Sequence, residues 1–102
     1  MKARHLTAVA LLAGMFAAVP AAQASQALAQ SKNCLSCHST DKKVVGPSFK
    51  DISAKYKGKG AGAQLAAKIQ KGGSGVWGAV PMPANKVTDA EAKQLANWVL
   101  SL

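Results

Sequence analysis

Apolar positions fall into two regimes along this chain. From Leu6 to Val19 they run together without a charge, and beyond Pro20 they return in short, helix-spaced sets divided by glycine, proline and lysine. The clearest set lies in VTDAEAKQLANWVLSL, 87–102, where Ala92, Leu95, Ala96, Val99 and Leu102 recur on one side with Trp98 at its border. Thr88 followed three residues later by Glu91 forms a capping box, and Asp89 adds a second acid to the first turn. A second set, Ala63 to Lys71, places Leu65 and Ile69 four apart, then closes on Lys68 and Lys71 with Gly72 and Gly73 beyond, as a helix C-terminus should. A third opens at Ser48, a good N-cap, and carries Phe49, Ile52 and Tyr56. The fourth, about Gln26 to Cys37, is weakly periodic through Leu28 and Leu35 and runs into the only two cysteines. Nothing alternates as a strand does, so the pattern predicts a small all-α domain of about four helices.

Two connections differ in kind. KYKGKGAG, 55–62, is basic and glycine-punctuated and reads as solvated surface. GGSGVWGAVPMPANK, 72–86, has glycines and two prolines that exclude regular structure, so so long an ordered loop must be held by whatever it packs against.

The N-terminal apolar run belongs to neither. Lys2, Arg4 and His5 make a basic head, Leu6 to Val19 is 14 residues long, and Ala22-Gln23-Ala24 ends it in a small-x-small pattern. That is the layout of a secretory leader, with cleavage expected after Ala24 and residues 1–24 removed. The run falls short of the ~20 residues that a spanning helix needs. Processing leaves residues 25–102, a single domain of 78 residues with 11 lysines against 4 acids, net +7.

So short a chain buries too little apolar surface to be comfortable alone and usually relies on a disulfide, a metal or a large cofactor. A Cys34–Cys37 disulfide would close a loop too small to restrain the unfolded chain. Structural zinc needs four ligands, whereas residues 25–102 hold two cysteines and one histidine, with scattered acids. A thioredoxin-like pair needs a strand-helix-strand setting that the pattern does not offer. What remains in SKNCLSCHST, 31–40, is Cys-x-x-Cys-His, the attachment sequence of c-type haem. Cys34 and Cys37 lie one helical turn apart, so both sulfurs can reach one porphyrin through thioether bonds, and His38 can supply an axial ligand to its iron. A large apolar ring also provides the missing core, so the chain without it should be largely unfolded.

The far side of the iron has few candidates. No second histidine and no methionine other than Met82 survive removal of the leader, and Met82 sits between Pro81 and Pro83 in the long loop. Flanking prolines fix φ and stiffen the chain around the sulfur, whereas a methionine that merely fills a core belongs on an apolar helix face. A histidine–methionine pair favours ferrous iron and leaves no position for oxygen, peroxide or substrate.

With CLSCH at 34–38, VGPSFKD at 45–51, LAAKIQKGGSGVWG at 65–78, VWGAVPMPAN at 76–85 and VTDAEAKQLANWVLSL at 87–102, the chain resembles the small bacterial class I cytochromes c. The specific likeness is to the short periplasmic cytochrome c-551/c-552 type, and it covers nearly all of 25–102. The resemblance implies four helices wrapped around one covalently attached haem, the first and last of them crossing. It implies further roles: the Pro47 carbonyl accepting from the other ring nitrogen of His38, Trp77 and Lys68 meeting a haem propionate, and Asn85 donating to the sulfur of Met82.

The function expected is that of a soluble periplasmic carrier of single electrons, not an enzyme, between respiratory donors and a terminal oxidase or reductase. The alternative is a haem c enzyme or gas-binding module with an open sixth position. The charge departs from the type's near-neutral or acidic members, and it suggests redox partner proteins with acidic docking surfaces and at most transient contact with a membrane surface. Nucleic acid does not fit the exported compartment, and nothing in the pattern points beyond a monomer.

Overall fold

The computed structural model describes residues 19–102. The basic head and nearly all of the apolar run of the expected leader lie outside them. Four α-helices follow in order: α1 Ala21–Ser31, α2 Phe49–Tyr56, α3 Gly62–Lys71 and α4 Asp89–Leu100, with a short 3-10 turn at Cys34–Ser36. No named strand occurs among the described residues; two isolated antiparallel bridges join His38 to Lys43 and Gly73 to Met82.

The first helix differs from expectation at both ends. It starts at Ala21, straight after Pro20, and stops at Ser31 rather than continuing to Cys37. Its run of alanine, glutamine and leucine is rich in strong helix formers, which carries the helix back to the proline. It stops because Asn33 takes the left-handed conformation, φ 61°, which asparagine tolerates better than most residues and which no continuing α-helix allows. The cysteines therefore sit in a tighter turn, Cys37 N donating to Cys34 O at 3.2 Å. A turn of three residues eclipses positions i and i+3, so Cys34 and Cys37 still share a side.

The remaining helices begin where their caps say. Ser48 accepts from Asp51 N at 3.1 Å to open α2. Thr88 accepts from Glu91 N at 3.1 Å while Glu91 accepts from Thr88 N at 2.9 Å, completing the capping box of α4. That bond to the Thr88 backbone, more than the Lys32 ammonium 3.5 Å away, holds the Glu91 carboxyl below its ordinary value. Its contribution to stability is thus present above the ordinary carboxylate range and lost as pH falls through the lowered value. The group is solvent-exposed, so the contribution is small.

Helix α4 is the common wall: α1, α2 and α3 each pack on it. Leu95, Trp98 and Val99 meet Ala29 of α1 and Phe49 of α2, and Ala92 and Ala96 meet Ala66 of α3. Alanine on both sides lets α3 and α4 approach closely. Trp98, expected at the border of the apolar stripe, is buried, because Phe49 closes over it edge-on at 5.3 Å. Ser53 of α2, also buried, donates toward Leu100 O and Leu102 O at 3.2 and 3.1 Å and so satisfies carbonyls at the end of α4. The buried side chains are few and several are alanine, which leaves a thin core for a chain of this length.

Because α4 supports every other helix, its cap has global reach. Thr88→Ala should lower the unfolding free energy of the haem-loaded protein by about 1 kcal/mol. The measurement is the urea midpoint at unchanged m-value; an unaltered midpoint would mean that the cap is dispensable.

Candidate cofactor site

From the Cys34–Ser36 turn the chain folds back on itself. Val45 N and Gly46 N both donate to Cys37 O, at 3.2 and 2.8 Å, and this closes residues 38–46 into a loop that brings Pro47 beside His38. His38 Nδ1 lies 2.7 Å from Pro47 O. A carbonyl can only accept, so Nδ1 carries a proton, and in the neutral ring Nε2 is left with a free lone pair. Phe49 stacks on the imidazole at 5.2 Å and 23°. Gly46 lies against the ring so closely that a Cβ there would come within 2.6 Å of Cε1 and 2.9 Å of Nδ1. The histidine is buried, with its plane set by a hydrogen bond, an aromatic ring and a glycine.

Cys34 and Cys37 form no disulfide. Burial in the fold pushes the Cys34 thiol above its ordinary value. Cys37 Sγ lies 3.8 Å from the Ser36 hydroxyl, whose proton goes to Asn33 O at 2.7 Å.

The loop after α3 is held from behind. Gly73 N donates to Met82 O at 3.0 Å and Met82 N to Gly73 O at 2.8 Å. Farther on, Asn85 N donates to Ile69 O at 3.2 Å. The Asn85 side-chain amide donates to the same carbonyl at 3.0 Å and to Pro83 O at 3.2 Å. Trp77 is partly exposed, and Lys55 Nζ of α2 sits 5.1 Å from the centre of its ring, a cation–π contact that ties the loop to α2.

These pieces enclose one cavity of about 410 Å³, lined by Cys34, Cys37, His38, Pro47, Lys68, Trp77 and Met82 among others. That volume is in the range of small-molecule and cofactor sites. Asn85 is the one candidate that does not line it. Its amide goes to the two carbonyls just named, and it makes no hydrogen bond to the Met82 sulfur here, because it faces the end of α3 rather than the cavity. Lys68 Nζ lies toward Gly73, where an added Cβ would meet it at 2.6 Å.

The family model for cytochrome c matches residues 22–102. The chain belongs to the cytochrome c family. Among its relatives, cytochrome c-552 of Hydrogenobacter thermophilus is 52% identical over 103 residues, covering 100% of this chain and 99% of that protein. Cytochrome c-551 of Pseudomonas aeruginosa is 51% identical over 81 residues, 78% of each. The crystal structure of wild-type Nitrosomonas europaea cytochrome c552 superposes with a TM-score of 0.73 at 53% identity, covering 76% of this chain and 98% of that one. The cytochrome is accordingly a mono-haem electron carrier of the c-551/c-552 type, and its cofactor is covalently attached haem c.

The residues present fit that cofactor. Cys34, Cys37 and His38, the last with Nδ1 engaged by Pro47 O, line the same cavity as Met82. The exposed apolar side chains Val45, Val76, Trp77 and Val80 also line it, as surface that a flat apolar ring held there would cover. Bound haem supplies a one-electron iron couple; the chain supplies its covalent attachment and its shelter from water.

Gly46 and Phe49 escaped notice as partners of His38, and so did the pairing of Gly73 with Met82 and of Lys55 with Trp77. The only trace in the sequence is that Gly46 adjoins Pro47 and that Gly72 and Gly73 follow a helix end. With so much of the apolar interior assigned to the haem, Cys34→Ala, Cys37→Ala protein should lose most of its helical far-UV circular dichroism. Retention of the native spectrum without haem would show that the helices hold together unaided.

Proposed function

We propose that this cytochrome is a soluble periplasmic shuttle whose haem is tethered by Cys34 and Cys37 and ligated axially by His38 and Met82. The observation that carries the reading is the joint approach of an imidazole with a free Nε2 and of the sole methionine of residues 25–102 to one cavity. The Pro47 carbonyl orients the ring and makes it more electron-rich. The Met82 thioether, neutral and soft, favours the ferrous state and raises the reduction potential. Filling both axial positions leaves the protein to move electrons and excludes substrate chemistry at the iron. Trp77 and Lys68 both line the cavity, and in this reading they meet a propionate with an indole N–H and a cation.

Export follows from the leader, cleaved after Ala24. Processing there removes the first four residues of α1 and spares Leu28 and Ala29, which carry its packing on the core. Ser25, the new first residue, is buried beside Gln94, whose amide donates to its hydroxyl at 3.3 Å. The net charge of +7 favours encounter with acidic surfaces of donor and acceptor proteins, in a salt-dependent way.

Visible spectra of the oxidised and reduced protein test the ligand set. Wild type should be low-spin, with the weak far-red band of ferric iron–thioether ligation, and Met82→Ala should lose that band. A high-spin ferric spectrum in wild type with rapid carbon monoxide binding when reduced would instead give the gas-binding or enzymatic alternative. Transfer rates to acidic redox partners should fall as ionic strength rises; a flat dependence would reduce the lysines to solubilising surface.

A further inference from the structure

The end of α3 does more than stop a helix. Within five residues it makes every backbone tie that fixes the methionine segment. Ile69 O receives both the backbone and side-chain N–H groups of Asn85, and Gly73 exchanges two hydrogen bonds with Met82. Between them stands Gly72, with φ +70°. A Cβ there would run into Met82 O, and it would lie 2.8 Å from both the Pro83 carbonyl carbon and Ala84 N. Those atoms are backbone, held in place by the prolines at 81 and 83, so they cannot swing aside as a flexible side chain would.

We propose that Gly72 is a positioning residue for Met82. Its missing side chain lets residues 82–84 lie flat on the C-terminus of α3, and this contact decides how much of the time the sulfur stays on the iron. The proposal rests on Met82 being the axial ligand and adds what keeps it there. An outside ligand can enter only while the sulfur is away, so its apparent affinity is scaled down by the small fraction of protein in that state. Pushing residues 82–84 outward raises that fraction without touching His38, the cysteines or the α4 core.

The chain supplies its own control. Gly60 also has a positive φ, +64°, but a Cβ there would meet nothing within 4 Å. Gly60→Ala therefore introduces a side chain at a positive φ with no steric push, whereas Gly72→Ala adds the push to a backbone, φ 70° and ψ −166°, that is essentially confined to glycine. The experiment compares haem-loaded wild type, Gly72→Ala, Gly60→Ala and Met82→Ala in the ferric state, by the intensity of the far-red iron–thioether band and by titration with imidazole.

Gly72→Ala should bind imidazole at least about tenfold more tightly than wild type and show a weakened far-red band, while Gly60→Ala matches wild type in both even if it melts earlier. Equal imidazole affinity in Gly72→Ala and wild type, with the band intact, would overturn the proposal. So would an equal gain in Gly60→Ala, since strain alone would then suffice. If wild type shows no such band and Met82→Ala changes nothing, the ligand assignment itself fails, an outcome distinct from either. Should Gly72→Ala fail to take up haem, Asn85→Ala loosens the same contact without any clash, by removing the side-chain bonds to Ile69 O and Pro83 O while the backbone bond to Ile69 O remains. It should move the imidazole affinity in the same direction, and no change in it would likewise count against the proposal.

Discussion

A flat, largely apolar group that must be enclosed, and that the chain does not itself build, is the constraint on which the rest of this structure depends. The interior formed by the side chains alone is thin, with alanine at Ala29, Ala66, Ala92 and Ala96 where a self-sufficient domain would carry larger residues. Around the cavity the balance reverses: Val45, Val76, Trp77 and Val80 present apolar surface to the place where the haem belongs. The hydrophobic effect that holds the helices together thus acts largely through the cofactor, and the covalent attachment of the haem makes that arrangement permanent.

Division of labour follows from that. Helix α4 is a rigid wall, capped at Thr88 and backed by α1, α2 and α3, and it holds Leu95, Trp98 and Val99 at the rear of the cavity. The groups suited to the iron come from irregular chain: His38 from the turn after Cys37, Met82 from the loop after α3. Irregular backbone holds a side chain only if something else pins it. Here the pins are carbonyls and glycines: Pro47 O and Gly46 for the histidine, and Gly72, Gly73 and the Ile69 carbonyl for the methionine segment. Stiff surroundings of that kind limit reorganisation between two oxidation states, which suits a protein whose work is to gain and lose an electron without other change.

Much of this was legible in order along the chain. The capping box at Thr88 and Glu91, the Ser48 cap and the glycines after Lys71 announced three helices, because caps are local and depend on a few neighbouring residues. The cysteine-histidine motif and the sole methionine of residues 25–102 were found by counting, since covalent attachment and ligation demand particular side chains. What stayed hidden was relational. The start of α1 was set by a proline outside the expected mature chain, and its end by the φ of Asn33. Trp98 became core only because Phe49 covers it. Asn85, placed beside the sulfur by resemblance, turned its amide to two carbonyls at the end of α3.

The sequence by itself determined the class of chemistry and the helical architecture: two thiols and an imidazole in five residues, one thioether beyond them, and apolar spacing for helices. Those follow from composition and from spacings within one turn, where the backbone leaves little choice. The tertiary structure alone decided that a cavity of about 410 Å³ brings residues 44 positions apart, His38 and Met82, to the same space. It also decided that two glycines, Gly46 and Gly72, stand where a single added carbon would press on the histidine ring or on the backbone of residues 82–84. Close packing between distant segments is a property of the assembled chain, and a residue whose contribution is the absence of a side chain shows it only there.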